Sequence, residues 1–289
     1  MTLAPTMDKK KSEQNPVTKT LPGLLALGRP LVMGILNVTP DSFSDGGQFL
    51  DQDLALGHVR AMADQGADIL DIGAESTRPY GGMQPVTAED EKARLAPVLP
   101  AAVKLGPPVS IDSMKAATAA WALDQGASII NDVWGLQRDP EMAPLAAKRG
   151  VPVIVMHNRE QADPAIDIIA EVLAFFARSL DIAAQAGIMP GKVVLDPGIG
   201  FGKTPEQSIT CIARLGEFRR FGLPLLVGAS RKRFINSVMP SEPHERIGGS
   251  IAAHLLAVRN GAAIVRAHDV AETVQALRVQ AAISGAKEN

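Results

Sequence analysis

The fold of this chain is indicated by a pattern that first occurs at residues 31–38, LVMGILNV. The run is almost continuously apolar, which is typical of a parallel strand buried on both faces. The polar residue Asn37 lies near its end, just before a polar loop. The same kind of run recurs along the chain, at 68–73, 109–112, 128–133, 152–157, 192–196, 224–228 and 262–268. We therefore predict eight parallel strands.

Amphipathic stretches with helix signals separate the strands. Thr87 can accept from free backbone N–H groups and is followed by acids, so it predicts a helix start. Asp139 followed by Pro140 predicts another helix start. Several glycines follow a helical run and precede a strand, where a left-handed cap is expected. These are Gly66, Gly126, Gly150, Gly187 and Gly261.

Eight strand–helix units within 289 residues favour a closed (β/α)₈ TIM barrel, an α/β fold of a single domain. A doubly wound open sheet is the alternative, because strand counting alone does not separate the two. Residues 23–289 are assigned to the barrel. Residues 1–22 are mostly polar and are predicted to form a disordered N-terminal tail.

Composition excludes several classes of function. The formal net charge is −2 and the isoelectric point about 6.2, which does not favour a nucleic-acid binder. No segment is long and apolar enough for a membrane helix, and residues 1–20 lack the pattern of a secretory signal. The single cysteine, Cys211, excludes an intrachain disulfide and is expected to be an inert packed thiol. A cytoplasmic protein is the expectation.

Polar residues gather where the predicted strands end. In a barrel all these ends face one mouth, where active sites form. Helix capping could explain any one of them, but it is a poor explanation for a polar group at every strand end. The set comprises Asn37, Glu75, Ser76, Thr77, Arg78, Asp112, Asn131, Asp132, His157, Asp196, Ser230, Arg231, Lys232, Arg266 and His268.

Two loops beside this mouth are interpreted as lids. Residues 37–47 are polar but carry an isolated Phe43, which a lid would use to exclude water. Residues 75–82 carry one cation, Arg78, and glycine hinges that include Gly81 and Gly82.

The charged residues at the mouth indicate a phosphate-bearing ligand. Arg is suited to bidentate contact with phosphate oxygens. Five cations could gather there: Arg78, Arg231, Lys232, Arg266 and His268.

Two carboxylates and an amide indicate a second kind of contact. Asp112 and Asp196 could each accept from the N–H groups of a planar heterocycle, with Asn131 beside them. The acids could instead bind a metal or act as acid and base, and the residues alone leave these alternatives open. The Gly-rich run 196–204 has the wrong spacing for a P-loop, and no dinucleotide-binding motif follows the first strand.

Several ordered motifs resemble the signatures of the dihydropteroate synthase family. They are residues 34–47 (GILNVTPDSFSDGG), 71–79 (DIGAESTRP), 110–113 (SIDS), 130–133 (INDV), 195–203 (LDPGIGFGK), 228–232 (GASRK) and 266–270 (RAHDV). Because the motifs match in order from Leu31 to the C-terminal helix, the resemblance is far more specific than any one of them.

The resemblance implies an activity and its partners. Members of this family are homodimeric TIM barrels that join 4-aminobenzoate to (7,8-dihydropterin-6-yl)methyl diphosphate with Mg²⁺. The products are 7,8-dihydropteroate and diphosphate, in folate biosynthesis. The family is the target of sulfonamides, and ordinary sulfonamide sensitivity is predicted because no insertion lies near Phe201.

The resemblance also implies roles for individual residues. Asp112, Asp196, Lys232, Arg266 and His268 match the catalytic set. The pterin edge matches Asp112, Asn131, Asp196 and Lys232, with Val133, Met156, Phe201, Gly228 and Arg266 as packing surfaces. The diphosphate contacts match Asn37, Thr77, Arg266 and His268, with Asn37 also as a Mg²⁺ ligand. Phe43, Pro79 and Lys232 match the aminobenzoate pocket, and Arg78 and Ser230 complete the substrate-binding set.

Two departures and two rivals accompany this interpretation. Residues 158–160 (NRE) and Arg233 differ from what many relatives carry, so contacts there are open. One rival is a methyltetrahydrofolate:corrinoid methyltransferase, which shares the pterin-reading residues but does not need the phosphate-binding set. The other is a non-catalytic paralogue that binds a pterin or a partner protein.

Overall fold

The structure is a computed structural model that describes residues 20–38, 48–75 and 86–286. Within these residues the strands are β1 Leu31–Asn37, β2 Ile69–Gly73, β3 Val109–Asp112, β4 Ile129–Asp132, β5 Val153–Met156, β6 Val193–Asp196, β7 Leu225–Val227 and β8 Ala262–Ala267. Neighbours pair in parallel and in chain order, and β8 pairs with β1 to close the barrel. The predicted TIM barrel is confirmed, and the open-sheet alternative is wrong.

Helices surround the barrel. Over the same residues they are α1 Leu21–Leu25, α2 Gln48–Asp64, α3 Ala88–Leu95, α4 Leu99–Val103, α5 Ala116–Asp124, α6 Met142–Arg149, α7 Ile168–Ala186, α8 Pro205–Ala213, α9 Arg233–Val238, α10 Ile247–Arg259 and α11 Val270–Gly285. Short 3₁₀ segments occupy Pro190–Lys192, Leu215–Phe221 and Pro243–Glu245. In the described part of the chain, none of the helices combines the length and apolar character needed to cross a bilayer.

The local signals in the sequence were accurate with one exception. Each predicted strand agrees with the observed one to within one residue at either end. Thr87 Oγ1 accepts from the Asp90 amide at 3.1 Å, as a cap should. The five glycines predicted as left-handed caps have φ angles between 62° and 106°.

The exception is the helix start predicted at Asp139, which is wrong by two residues because α6 begins at Met142. The Asp139 carboxylate instead accepts from the amide of Ala116 at 2.7 Å. It therefore stabilises the start of the neighbouring helix α5, a tertiary contact that local sequence does not reveal.

The lower end of the barrel interior is apolar and is closed by α1. Leu21 and Leu24 of that helix are buried against the barrel residues Leu31, Ile69 and Ile264. Leu21 and Pro22 were assigned to the predicted tail, and the structure contradicts that assignment for these two residues. Leu21 and Pro22 are helical, because burying Leu21 against the open end of the barrel removes apolar surface from water.

A larger apolar core fills the space between the strands and the outer helices. Phe176 of α7 packs edge-to-face on Phe218 and Phe221, with ring centroids 5.8 and 6.0 Å away. Cys211 of α8 is fully buried in this core, and burial raises the pKa of its thiol to about 11. The prediction that the thiol is packed is confirmed. That it is inert stays a prediction, which the raised pKa favours because the thiolate is the nucleophile.

Candidate active site

One layer above the apolar plug, the interior of the barrel becomes polar. Alternate residues of a barrel strand face the same side, so each apolar interior position is followed two residues later by another interior position. On four strands this step replaces an apolar side chain by a polar one: Ile69 by Asp71, Ile129 by Asn131, Val194 by Asp196 and Ile264 by Arg266. The alternation thus places a polar layer just below the mouth.

Arg266 lies at the centre of this layer and joins strands from across the barrel. Its Nε donates to Asp71 Oδ2 at 2.6 Å, and its Nη2 donates to Asp112 Oδ2 at 2.8 Å. Asn131 Nδ2 also donates to Asp71 Oδ2, at 3.1 Å. Asp71 is fully buried, so the positive charge of Arg266 compensates its charge and the Asn131 amide adds a hydrogen bond.

The carboxylates around Arg266 are only partly satisfied. Asp71 Oδ1 and Asp112 Oδ1 are buried, and neither has a hydrogen-bond partner among the described residues. Burial raises the pKa of Asp112 to about 7, although the nearby Arg266 guanidinium opposes the change. A buried acceptor without a donor is costly and usually marks a place for a ligand or water. Asp112 Oδ1 is therefore available to an N–H donor of a bound molecule.

Asp196 provides a second carboxylate at the end of β6. Its Oδ1 accepts from the Gly198 amide at 2.8 Å, which fixes the direction of the side chain. Burial raises its pKa, while the Gly198 amide and the positive charges of Lys232 and Arg266 lower it. Arg266 acts on both Asp112 and Asp196, so the two acids belong to one electrostatic cluster.

Lys232 reaches this cluster from the loop after β7. Its Nζ donates to the carbonyl oxygen of Ile199 and lies 4.1 Å from the centre of the Phe201 ring. Such a cation–π contact is favourable, the more so when water is excluded. Burial lowers the pKa of Lys232, and the charge of Asp196 opposes that shift.

His268 and Ser230 form a further pair at the mouth. The Ser230 hydroxyl lies 2.9 Å from His268 Nδ1 and accepts from the His268 amide at 3.1 Å. Ser230 follows β7, and His268 follows β8, the strand that carries Arg266. His268 can present an imidazole N–H or imidazolium to an anion.

The predicted cation cluster needs one correction. Arg231 has a left-handed backbone, with φ of 57°, and its Nε donates to Asp269 Oδ2 at 3.0 Å. Its charge is therefore compensated by a carboxylate outside the cluster and does not add to the phosphate set. Arg266 is likewise held by two carboxylates through Nε and Nη2, so any phosphate contact falls to Nη1.

Three of the polar strand ends are structural. Asp132 accepts from the amides of Trp134 and Leu136 at 2.9 and 2.8 Å, and its buried carboxyl has a pKa raised to about 6. Glu75 pairs with Lys115 at 2.5 Å. His157 is fully buried, and its Nδ1 lies 2.6 Å from Lys203 Nζ. For these members the capping and packing interpretation holds.

Other predicted site residues line the same mouth. Val133 and Met156 are buried at the ends of β4 and β5, and Asn37 is half-buried at the end of β1. At Gly228 an added Cβ would lie 3.7 Å from the Arg266 side chain. Because glycine has no Cβ, nothing from this residue covers the aliphatic part of Arg266. The remaining predicted residues lie outside the described residues: Phe43, Ser76, Thr77, Arg78 and Pro79.

Asp71 belongs to the motif at residues 71–79, but the sequence pattern did not predict a role for it. The signal was present, since Asp71 is a charged residue in the middle of an otherwise apolar strand. Such a residue is buried only when it is paired. Its partner, Arg266, lies 195 residues away, which is why the pairing was missed.

Comparison with known proteins identifies the family to which the chain belongs. A family model described as "pterin binding enzyme" matches residues 33–268. The dihydropteroate synthase of Bacillus subtilis is 43% identical over 273 residues, which cover 94% of this chain and 95% of that protein.

Solved structures give the same result for the fold. A structure of Xanthomonas albilineans dihydropteroate synthase with 4-aminobenzoic acid has a TM-score of 0.85 at 43% identity, covering 89% of this chain and 94% of that one. A Yersinia pestis dihydropteroate synthase in complex with a sulfonamide drug has a TM-score of 0.82 at 41% identity, covering 90% and 96%.

Proposed function

We propose how this chain, which belongs to the pterin-binding enzyme family, carries out the reaction of a dihydropteroate synthase. The enzyme joins 4-aminobenzoate to (7,8-dihydropterin-6-yl)methyl diphosphate and releases diphosphate, giving 7,8-dihydropteroate. The aryl amine forms the new C–N bond at the methylene carbon as the C–O bond to diphosphate breaks. The amine then loses one proton.

The proposal rests on Asp112: its Oδ1 is buried and has no partner in the described part of the chain, while the Arg266 guanidinium holds its other oxygen. An aminopyrimidinone ring offers adjacent N–H donors, which suit a carboxylate oxygen in a water-poor cavity. Asp196, with its direction fixed by Gly198, supplies the second acceptor. Met156 and Val133 supply apolar surface for the ring.

The acids also support the reaction itself. Departure of diphosphate leaves positive character on the pterin methylene, and fixed carboxylates nearby stabilise developing positive charge without reorganising. The aryl amine is a weak base and needs no strong general base to react. The rate therefore depends mainly on how well the leaving diphosphate is stabilised.

His268, with Ser230 behind it, is proposed to hold the diphosphate. The Ser230 hydroxyl fixes the imidazole by contacts to both the ring and the main chain of His268. An imidazolium so fixed would offset the negative charge that grows on the leaving group. Nη1 of Arg266, the terminal nitrogen left over from the two carboxylate bonds, would add a second donor.

The donor set fits Mg²⁺ only together with the diphosphate. The described residues contain no group of three or more His, Cys, Asp or Glu side chains that could hold a metal. Mg²⁺ is often bound by one or two protein oxygens plus substrate phosphates. The Asn37 amide oxygen, at the mouth end of β1, could supply one such ligand. When bound, Mg²⁺ would neutralise part of the charge on the leaving diphosphate.

We also propose a homodimer that uses the outer face of α8, α9 and α10. Exposed apolar side chains surround a groove of about 420 Å³ there. Those with the greatest exposure are Ile209, Val238, Met239 and Leu256. Exposed apolar side chains grouped around a groove are typical of a surface that contacts another protein. Sedimentation of the wild type should give a dimer, and Val238→Asp should shift it toward monomer.

A cytoplasmic location is proposed from the single buried cysteine, which suits a reducing compartment.

A diphosphate-release assay with both substrates tests the function. The wild type should release diphosphate only when 4-aminobenzoate is present, and Lys232→Ala and His268→Ala should each depress release strongly. Arg214→Ala is a matched control, because it removes only an exposed ion pair with Glu217. Intact activity in Lys232→Ala would contradict the assignment.

Binding measurements separate the rival functions. The corrinoid methyltransferase and the non-catalytic paralogue have no need for a diphosphate site linked to Mg²⁺. Titration calorimetry with the pterin diphosphate, with and without Mg²⁺, should show tighter binding with the metal.

A further inference from the structure

A buried lysine under the loop after β6 has no role in the reaction described above. Lys203 is 2% exposed, yet its ammonium makes three hydrogen bonds. The acceptors are His157 Nδ1 at 2.6 Å, the Gly198 carbonyl oxygen at 2.9 Å and the Phe201 carbonyl oxygen at 3.1 Å. An ammonium has three N–H donors, so all of them are used.

The protonation states agree with this geometry. Burial lowers the pKa of His157 to about 2, so its imidazole is neutral and Nδ1 can accept. Burial lowers the pKa of Lys203 to about 8, which leaves it charged at neutral pH. The loop is thus folded around an internal cation.

The backbone of the loop is shaped to meet that cation. Gly198 has φ of 65°, and a Cβ there would lie 1.9 Å from the His157 carbonyl oxygen. Gly202 has φ of 53°, and a Cβ there would lie 2.5 Å from the Arg159 backbone. The loop can therefore turn its carbonyl groups inward only because these two positions carry no side chain.

The opposite side of the same loop faces the site. The Ile199 carbonyl oxygen accepts from Lys232 Nζ, and the Phe201 ring lies 4.1 Å from that nitrogen. The Gly198 amide donates to Asp196. Residues 198–201 thus contact Lys203 on one side and two residues of the candidate site on the other.

We propose that Lys203 is a positioning residue: its buried ammonium fixes the 198–201 loop so that Phe201 and the Ile199 carbonyl place Lys232 against the pterin. This inference rests on the proposed function and deepens it. Lys203 itself does not touch substrate, because its three donors are spent inside the loop. It therefore acts on binding through Phe201 and Lys232.

Lys203→Met tests the proposal, since methionine keeps much of the length of the side chain and removes every donor. We expect pterin diphosphate to bind about tenfold more weakly by titration calorimetry, as expected for a small displacement of contact groups. In a Phe201→Ala background, Lys203→Met should add less than about twofold, because residues in one network are not additive.

A control separates positioning from general destabilisation. Phe218→Leu changes a fully buried side chain in the outer core and should lower Tm while leaving pterin affinity unchanged. If Lys203→Met does not fold, His157→Phe removes one acceptor and should give a smaller loss of the same non-additive kind.

The outcomes distinguish this inference from the function on which it rests. Failure of the wild type to bind the pterin diphosphate would overturn the proposed function. If the wild type is functional, either of two results would overturn the role of Lys203. The first is that Lys203→Met binds the pterin diphosphate within about twofold of the wild type. The second is that the affinity losses of Lys203→Met and Phe201→Ala multiply in the double variant.

Discussion

Asp112 and Arg266 share one hydrogen bond of 2.8 Å that leaves the other oxygen of the carboxylate buried and without a partner among the described residues. The two residues come from β3 and β8, which are not neighbours in the barrel. The pair therefore reaches across the interior and holds an acceptor ready for a ligand.

Asp112→Asn should weaken pterin binding by roughly 10- to 100-fold, because a charge-assisted hydrogen bond contributes about 1.5–3 kcal/mol. Titration calorimetry with the pterin diphosphate measures the loss. Asp132→Asn is the matched control, since that buried carboxylate serves only its own loop in the structure. Equal losses of affinity in the two variants would argue against a direct pterin contact.

Pterin affinity should fall as the pH falls through about 7, the raised pKa of Asp112. N–H donors of the ligand stabilise the carboxylate, so the pKa of Asp112 is lower in the complex than in the free enzyme. Binding near neutral pH must then release protons. Calorimetry in buffers of different ionisation enthalpy would detect this release, and Asp112→Asn should reduce it.

Lys232 acts in the opposite sense on the alkaline side. Burial lowers its pKa, so its donor strength is lost as the pH rises. The pH profile of affinity should therefore have a maximum. A flat profile between pH values of about 6 and 8 would contradict both assignments.

Asp71→Leu should destabilise the fold by about 3–5 kcal/mol, because it leaves the largely buried Arg266 side chain, 17% exposed, with one carboxylate fewer. Urea unfolding monitored by circular dichroism gives the change. Asp71→Asn should cost less, since it keeps one acceptor for Arg266. If Asp71→Leu had the same free energy of unfolding as Asp71→Asn, the carboxamide would give Arg266 no support, and the main role assigned to residue 71 would be wrong.

His268→Ala should separate diphosphate recognition from pterin recognition. We expect a large loss of affinity for the pterin diphosphate but little change for the same pterin without phosphate. Ser230→Ala should show a smaller loss of the same kind, because it removes only the hydroxyl that orients the imidazole. A similar loss for both ligands would place His268 at the pterin instead.

A sulfonamide should inhibit the enzyme competitively with 4-aminobenzoate. A Yersinia pestis relative at 41% identity has been solved with such a drug. Initial rates at several 4-aminobenzoate concentrations would show the pattern. Full activity at saturating drug would contradict the prediction.

The candidate site was only partly predictable from the residues. Strand-end position correctly gathered Asp112, Asp196, Lys232 and Arg266 at one mouth. The same criterion also collected Asp132 and His157, which serve the local structure. Position along a strand predicts which side chains lie near the mouth. It does not predict whether such a side chain is already hydrogen-bonded to a backbone amide or a buried lysine.

The sequence left a closed barrel and an open sheet as alternatives, and the structure decided for the barrel. By itself the sequence determined the eight strands and the glycine caps. These depend on apolar runs and on backbone conformations that only certain residues tolerate, both of which are local properties. Only the tertiary structure decided which carboxylates Arg266 neutralises, that Arg231 pairs with Asp269, and that Lys203 supports a loop. Those choices depend on distances between residues brought together by closure of the barrel, and charge interactions between them follow separation and burial, not sequence order.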